Sequence, residues 1–121
     1  MIYIITRLVM CGIFGLITKE NKFDKKNIIR QIANNLFIYS ETRGREAAGI
    51  ALYYDSIINI FKKAGTPSSF IKDIQYKALF DRINNSNFDE NKSLAFIGHS
   101  RLVTNGYQSD DDNNQPIVLS N

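Results

Sequence analysis

The sequence lacks tryptophan and contains only one cysteine, one histidine and two prolines among its 121 residues. One cysteine cannot form an intrachain disulfide, which excludes a small secreted domain stapled by disulfides. No apolar run approaches the roughly 18 residues of a membrane span. The opening stretch lacks both the basic region and the small-residue cleavage site of a secretory signal. We therefore expect a cytoplasmic protein with no membrane partner.

Charge is nearly balanced, with 15 basic and 12 acidic residues and a formal net charge of +3. The basic pairs Lys25–Lys26 and Lys62–Lys63 are typical of solvated faces, so we expect no nucleic-acid partner. The acidic stretch at 109–114 lacks the glycine and the distal glutamate of a calcium loop, and Pro116 interrupts the spacing. We accordingly predict no metal site and no cofactor.

Hydrophobic periodicity predicts an α+β domain in one unit, in the order strand, helix, strand, strand, helix, strand. The first helix has a continuous apolar stripe, with Asp24 as its N-cap. Pro67 suits the first turn of the second helix. The predicted elements are a strand at 11–18, a helix in the stretch 23–42, two strands at 47–65 that turn at Asp55–Ser56, a helix from Thr66–Pro67 to about Ile83, a polar loop at 84–92 and a strand at 93–103.

The single thiol, Cys11, directly follows Met10, and this placement bears on its chemistry. A cysteine in an apolar strand is usually a small buried hydrophobe. A catalytic thiol needs a base, and the only histidine is His99, with no evident third group to orient it. If Cys11 were the first residue, its own α-amino group, with a pKa near that of a thiol, would serve as the base. That chemistry requires removal of everything up to Met10.

Two further segments contain groups suited to a site. In "RGREAAGI" (43–50) small residues let the backbone pack closely beside Arg43 and Gly44. In "GHSRLVTNG" (98–106) Arg101 offers a fork of donors that matches a carboxylate. Thr104 and Asn105 are suited to binding an ammonium group or an oxyanion. Each segment alone is equally compatible with an ordinary helix end or strand end.

Taken together and in this order, these segments resemble the glutaminase domain of class II glutamine amidotransferases, which are N-terminal nucleophile hydrolases. The resemblance rests on "CGIFG" (11–15), "RGREAAGI", "GHSRLVTNG" and "NNQP" (113–116), and it covers residues 10 to about 118. It implies the four-layer αββα N-terminal nucleophile hydrolase fold, in truncated form. The expected division is an extension or mis-assigned start at 1–9, followed at 10–121 by the N-terminal portion of a type 2 glutamine amidotransferase domain.

The resemblance also implies a reaction and a set of roles. The terminal cysteine attacks the side-chain amide of L-glutamine, a glutamyl thioester forms, and ammonia passes to a synthase or transferase domain or subunit. His99 matches a position for which we expect a structural role. The implied site residues are Cys11 as nucleophile, Arg101 on the glutamine α-carboxylate, Thr104 and Gly106 in the pocket, and Arg43 and Gly44 in the floor beneath the cysteine.

Three departures from the family pattern concern the ammonia acceptor. Glu46 stands where an aspartate is usual, Leu102 replaces an aromatic residue found in many sugar-aminating members, and Gln115 replaces a histidine. These changes leave glutamine cleavage intact. The forms "GHSR" and "RGREAAGI" favour a sugar phosphate as acceptor, and the asparagine-synthetase and phosphoribosyl-amine branches stay open.

The two ends of the sequence give two further expectations. We expect translation to begin at Met10 and an aminopeptidase to remove it, with a cleaved propeptide as the alternative. The family's oxyanion asparagine and its amine-binding aspartate are absent, so we expect the chain as written to be inactive. The alternatives are a catalytically inactive module that retains the fold for glutamine or partner binding, and a generic α+β domain with a structural cysteine.

Overall fold

The structure is a computed structural model that describes residues 2–7, 11–19, 25–85, 89, 91–102, 114–117 and 119. This part of the chain contains five strands and three helices. Their bounds are β1 (Ile2–Arg7), β2 (Gly12–Thr18), α1 (Lys25–Ser40), β3 (Ala47–Tyr54), β4 (Ile57–Ala64), α2 (Pro67–Phe70), α3 (Ile74–Asn85) and β5 (Leu94–Arg101). The protein is thus an α+β domain, as the periodicity predicts.

The strands form one antiparallel sheet in the order β1-β2-β5-β3-β4. The last described strand, β5, lies between β2 and β3 at the centre. Its register pairs Ser100 with Gly12 on one side and with Ala48 on the other. This register brings residues from the beginning, the middle and the end of the chain to the same end of the sheet.

The inner face of the sheet is the one that packs against the three helices. It carries the large side chains of alternate strand positions, including Phe14, Leu16, Ile50, Leu52 and Phe96, which are all buried. Phe37 of α1 lies at the centre of this core. Its ring centroid is 4.7 Å from that of Phe14 and 4.9 Å from that of Phe70, in the edge-on and tilted arrangements that aromatic rings favour.

The outer face carries the other set of alternating positions, and one half of it is exposed and apolar. Ile17, Tyr53, Ile58 and Ile97 are between 40% and 63% exposed. Together with neighbouring small residues they line a shallow apolar depression of about 340 Å³. Apolar area of this kind on one sheet face typically marks a surface that another element covers.

Most of the predicted elements are confirmed, with two corrections. The helix predicted from 66 to 83 is two helices. The first ends with Ile71 as its C-cap, and Asp73 caps the second by accepting a hydrogen bond from the backbone N–H of Gln75 at 2.8 Å. Residues 2–7, which the sequence analysis treats as an extension, form the edge strand β1. The turn at Asp55–Ser56 is confirmed, with both residues at positive φ. Asp24, the predicted N-cap, lies outside the described residues.

The helices of the described residues are short. The longest, α1, has 16 residues, and none in this part of the chain is long and apolar enough to cross a membrane. Each therefore depends on packing against the sheet for its stability.

Replacing Phe37 should reveal how much the shared core depends on one ring. Phe37→Ala removes a fully buried ring, and we expect a loss of about 3–5 kcal/mol in the free energy of unfolding. Urea unfolding followed by circular dichroism measures it. The control is Tyr39→Ala on the same helix, where the side chain is 76% exposed; it should change stability by about 0.5 kcal/mol or less. Equal losses in the two variants would contradict this account of the core.

Candidate active site

Cys11 lies immediately before β2, at the end of the sheet where β5 finishes. Extending the β2–β5 register by one residue beyond the Gly12–Ser100 pair brings Cys11 opposite Arg101. The thiol is half-buried, and its Sγ lies 3.7 Å from the carbonyl oxygen of Leu102. The fold therefore brings the only thiol beside the segment that contains Arg101, about 90 residues away in sequence.

Arg101 is the last residue of β5, and its side chain is on the outer face of the sheet. The residue is only 8% exposed, so its charge lies in a largely desolvated position. One guanidinium nitrogen donates a hydrogen bond of 2.8 Å to Oδ1 of Asn114. A buried guanidinium with a polar partner is well suited to binding a carboxylate in bidentate geometry.

The segment 114–117 packs over the outer face above β3 and β4. Asn114 is 1% exposed. The ammonium group of Lys62 on β4 donates hydrogen bonds to the carbonyl oxygens of Asn114 at 3.1 Å and of Pro116 at 3.2 Å. A Cβ at Gly49 would overlap the carbonyl of Gln115, so only glycine allows the two backbones to approach this closely. One half of the outer face is thus covered by the chain itself.

Gly44 packs against the backbone of β5. A Cβ there would lie 2.6 Å from the carbonyl carbon of Arg101 and from the carbonyl oxygen of Ser100. The next contact is a hydrogen bond from the N–H of Glu46 to the carbonyl of Arg101 at 3.1 Å. Gly44 therefore fixes the 43–46 loop against the strand end that carries Arg101.

Arg43 follows the end of α1, where its backbone N–H donates a hydrogen bond of 2.9 Å to the carbonyl oxygen of Ser40. It lines a small cavity of about 110 Å³ that also includes Gly12 and Tyr39. The end of α1 closes this region, because Ser100 donates a hydrogen bond of 2.9 Å from its Oγ to the carbonyl oxygen of Ser40. The structure thus brings Arg43 near the residue that follows Cys11 and leaves it half-exposed.

His99 is buried on the outer face between β2 and β3, where it pairs with Ile13 and Gly49. Its Nδ1 has no hydrogen-bond partner within the part of the chain that the structure describes. Burial lowers the pKa of His99, and the positive charge of Arg101 lowers it further. A neutral, enclosed imidazole packed between strands fits the structural role expected for this residue.

Two predicted site residues, Thr104 and Gly106, lie outside the described residues, as does the acidic stretch at 109–113. No group of three or more histidine, cysteine, aspartate or glutamate side chains capable of holding a metal ion occurs within the described ranges. The cluster at this end of the sheet is thus built from Cys11, Arg101, Gly44 and the two residues that sequence reasoning left without a role, Asn114 and Lys62.

The sequence held only weak signals for those two residues. Asn114 belongs to the "NNQP" stretch, and Lys62 is one of two adjacent lysines that periodicity treats as a solvated pair. Lys62 and Asn114 contact each other although they lie about 50 residues apart in sequence, and no local pattern reveals such a contact. A glycine inside a strand, as at Gly49, is the local sign that another backbone approaches closely.

Comparison with protein-family models, with curated proteins and with solved structures finds no match to this chain. The family resemblance therefore rests on the four short motifs and on where the fold brings their residues.

Gly44→Ala tests whether this glycine is required for packing. The added methyl group must displace the backbone of β5, so we expect the free energy of unfolding to fall by about 2 kcal/mol or more. The matched control is Arg45→Ala, since Arg45 is exposed. Urea unfolding of both variants decides the matter. A stable Gly44→Ala variant would show that the loop does not press on the strand.

The buried histidine gives a pH dependence. The folded pKa of His99 lies below its unfolded value of about 6.5, so the unfolded chain binds the proton more readily. Stability from this residue is therefore present above pH 6.5 and is lost as the pH falls through the folded pKa. Urea midpoints at pH 7.5 and 5.5 should differ more in the parent protein than in His99→Gln. Equal differences in the two proteins would contradict this pH dependence. His99 is the only histidine in the sequence, so no other histidine can produce it.

Proposed function

We propose that this domain carries the nucleophile and carboxylate-binding half of a glutaminase site, which releases ammonia from the side chain of L-glutamine. The observation that carries the proposal is the juxtaposition of Cys11 with the buried Arg101 at one end of adjacent strands. Adjacent strands lie about 5 Å apart. Glutamine spans a similar distance, because four C–C bonds of about 1.5 Å join its α-carboxylate carbon to its amide carbon.

In the proposed reaction, Arg101 binds the α-carboxylate and the Cys11 thiol attacks the side-chain amide carbon. The new C–S bond gives a tetrahedral intermediate, and the C–N bond then breaks. The α-amino group of Cys11 takes the thiol proton and returns it to the leaving nitrogen, which departs as ammonia. Water attacks the glutamyl thioester, the C–S bond breaks, and glutamate and the thiol are released.

The four-layer αββα architecture belongs to the same proposal. The inner face of the sheet is closed by helices, whereas Ile17, Tyr53, Ile58 and Ile97 leave the outer face apolar and exposed. In that architecture a second sheet packs on this face at a separation of about 10 Å. The exposed apolar depression supports this arrangement, because such area is costly to leave in water.

The ammonia acceptor belongs to a synthase or transferase domain or subunit outside the site. A sugar phosphate is the acceptor class that the "GHSR" and "RGREAAGI" forms favour. Free ammonia is protonated in water and then is not nucleophilic, so delivery requires that the partner lie against the glutaminase site. For the synthase or transferase partner and for the ammonia acceptor, the sequence motifs are the only support.

A second candidate, a catalytically inactive module that binds glutamine, is favoured by one specific observation. β1 pairs with β2 over six residues, from Ile2–Thr18 to Arg7–Ile13. In this continuous chain the nitrogen of Cys11 is part of a peptide bond with Met10, so it has no proton-accepting amine. The two candidates therefore share the binding site and differ in the covalent state of Cys11.

The test compares a chain that begins at Cys11 with the 121-residue chain that begins at Met1. We expect only the former to gain a glutamyl group on Cys11, read by intact mass, and to release ammonia from L-glutamine, at a rate about a hundredfold or more below that of a site with its oxyanion asparagine in place. Cys11→Ala in the shorter chain should abolish both signals and preserve glutamine binding, because the thiol is the nucleophile and Arg101 holds the ligand. Ammonia release that persists in Cys11→Ala would refute the proposal. Binding without release in every form would favour the inactive module.

A further inference from the structure

One hydrogen-bond partner of Arg101 is a neutral side chain. Oδ1 of Asn114 accepts a hydrogen bond of 2.8 Å from the guanidinium, and both residues are buried. The amide oxygen of Asn114 helps to fix the orientation of the guanidinium plane and does not itself neutralise the positive charge. An aspartate at the same position would make a stronger bond and would cancel that charge. An asparagine at position 114 is therefore better suited than an aspartate to a guanidinium that has to bind an incoming carboxylate.

Asn114 is itself held by a second cation from another strand. Lys62 donates to the carbonyl oxygens on both sides of Gln115, those of Asn114 and Pro116, at 3.1 and 3.2 Å. Gly49 leaves room for the carbonyl of Gln115 against β3. Lys62 of β4 thus holds two carbonyl groups of the 114–117 segment, and β3 packs against Gln115 between them. This arrangement directs the Asn114 side chain toward Arg101.

We propose that Asn114 is a positioning residue that holds the Arg101 guanidinium for the α-carboxylate of glutamine, and that Lys62 anchors Asn114. The inference rests on the proposed function and deepens it, because it names what sets carboxylate recognition at that site. The contact joins β5, β4 and the 114–117 segment. Specificity for an α-carboxylate therefore depends on residues that do not themselves touch the reacting amide.

The chain offers a matched control beside Lys62. Lys63, the next residue on β4, extends to the opposite face of the sheet and pairs with Asp73 at 2.7 Å. Lys62→Met and Lys63→Met remove the same charge and leave a similar apolar stem, at neighbouring positions of one strand. Only the former breaks the anchor of the 114–117 segment.

The experiment measures binding of two probes to the 121-residue chain by calorimetry. L-Glutamine has the α-carboxylate, whereas 4-aminobutanamide has the same amine and amide without it. The parent chain should bind L-glutamine more tightly. Asn114→Leu and Asn114→Asp should weaken L-glutamine binding by about tenfold or more, because a hydrogen bond to a charged group is lost or the charge is cancelled. Neither should change 4-aminobutanamide binding by more than about twofold.

Substitutions of Lys62 extend the test. They also keep it decisive if one of the Asn114 variants fails to fold. Lys62→Met should lower the affinity ratio of the two probes, Lys62→Arg should restore part of it by keeping a donor, and Lys63→Met should leave it unchanged. Unaltered L-glutamine affinity in the Asn114 variants would overturn the inference, as would an equal loss for both probes. A parent chain that binds neither probe would overturn the proposed function itself, which separates the two failures.

Discussion

The pairing of β5 with β2 on one side and with β3 on the other is the constraint on which this structure depends. A central strand fixed along both edges cannot slip, because a shift of one residue would move every side chain to the wrong face. With the register set, Phe96 and Leu94 face the helices and His99 and Arg101 face outward. Cys11 comes to lie beside Leu102 by the same register. Strand pairing, rather than the conformation of a loop, thus brings the residues of the candidate site together.

The two faces of the sheet serve different purposes. The inner face is closed by α1, α2 and α3 around an aromatic core that includes Phe37 and Tyr76. Burial raises the pKa of the Tyr76 phenol well above its usual range, and its hydroxyl donates to Asn34 at 2.8 Å, so the ring stays neutral within that core. The outer face carries Arg101, His99 and the 114–117 segment at one end and exposed apolar side chains at the other. Stability therefore resides largely on the inner face, and the chemistry we propose resides on the outer face.

Much of the fold could be predicted from the sequence, because β2, α1 and the β3–β4 hairpin each carry a clear period or turn signal. The break at residues 71–73 is hidden by periodicity, because the apolar residues Phe70, Ile71 and Ile74 continue the helical spacing across it. The local sign of the break is Asp73, an aspartate that caps the second helix. β1 was missed because its short apolar stretch has neither strand alternation nor a turn before Cys11. For the site, motif order indicated Cys11, Arg101 and Gly44, whereas Lys62 and Asn114 required the register of β4 against β3 and the path of the 114–117 segment.

The claim that Cys11 and Arg101 form one glutamine site can be tested directly by a crystal structure of the Cys11→Ala chain with L-glutamine. The account predicts the α-carboxylate on the Arg101 guanidinium in bidentate geometry, with N···O distances of about 2.8 Å. It also predicts the side-chain amide directed toward residue 11. Glutamine bound elsewhere on the sheet, or bound at Arg101 with its amide directed away from residue 11, would contradict it.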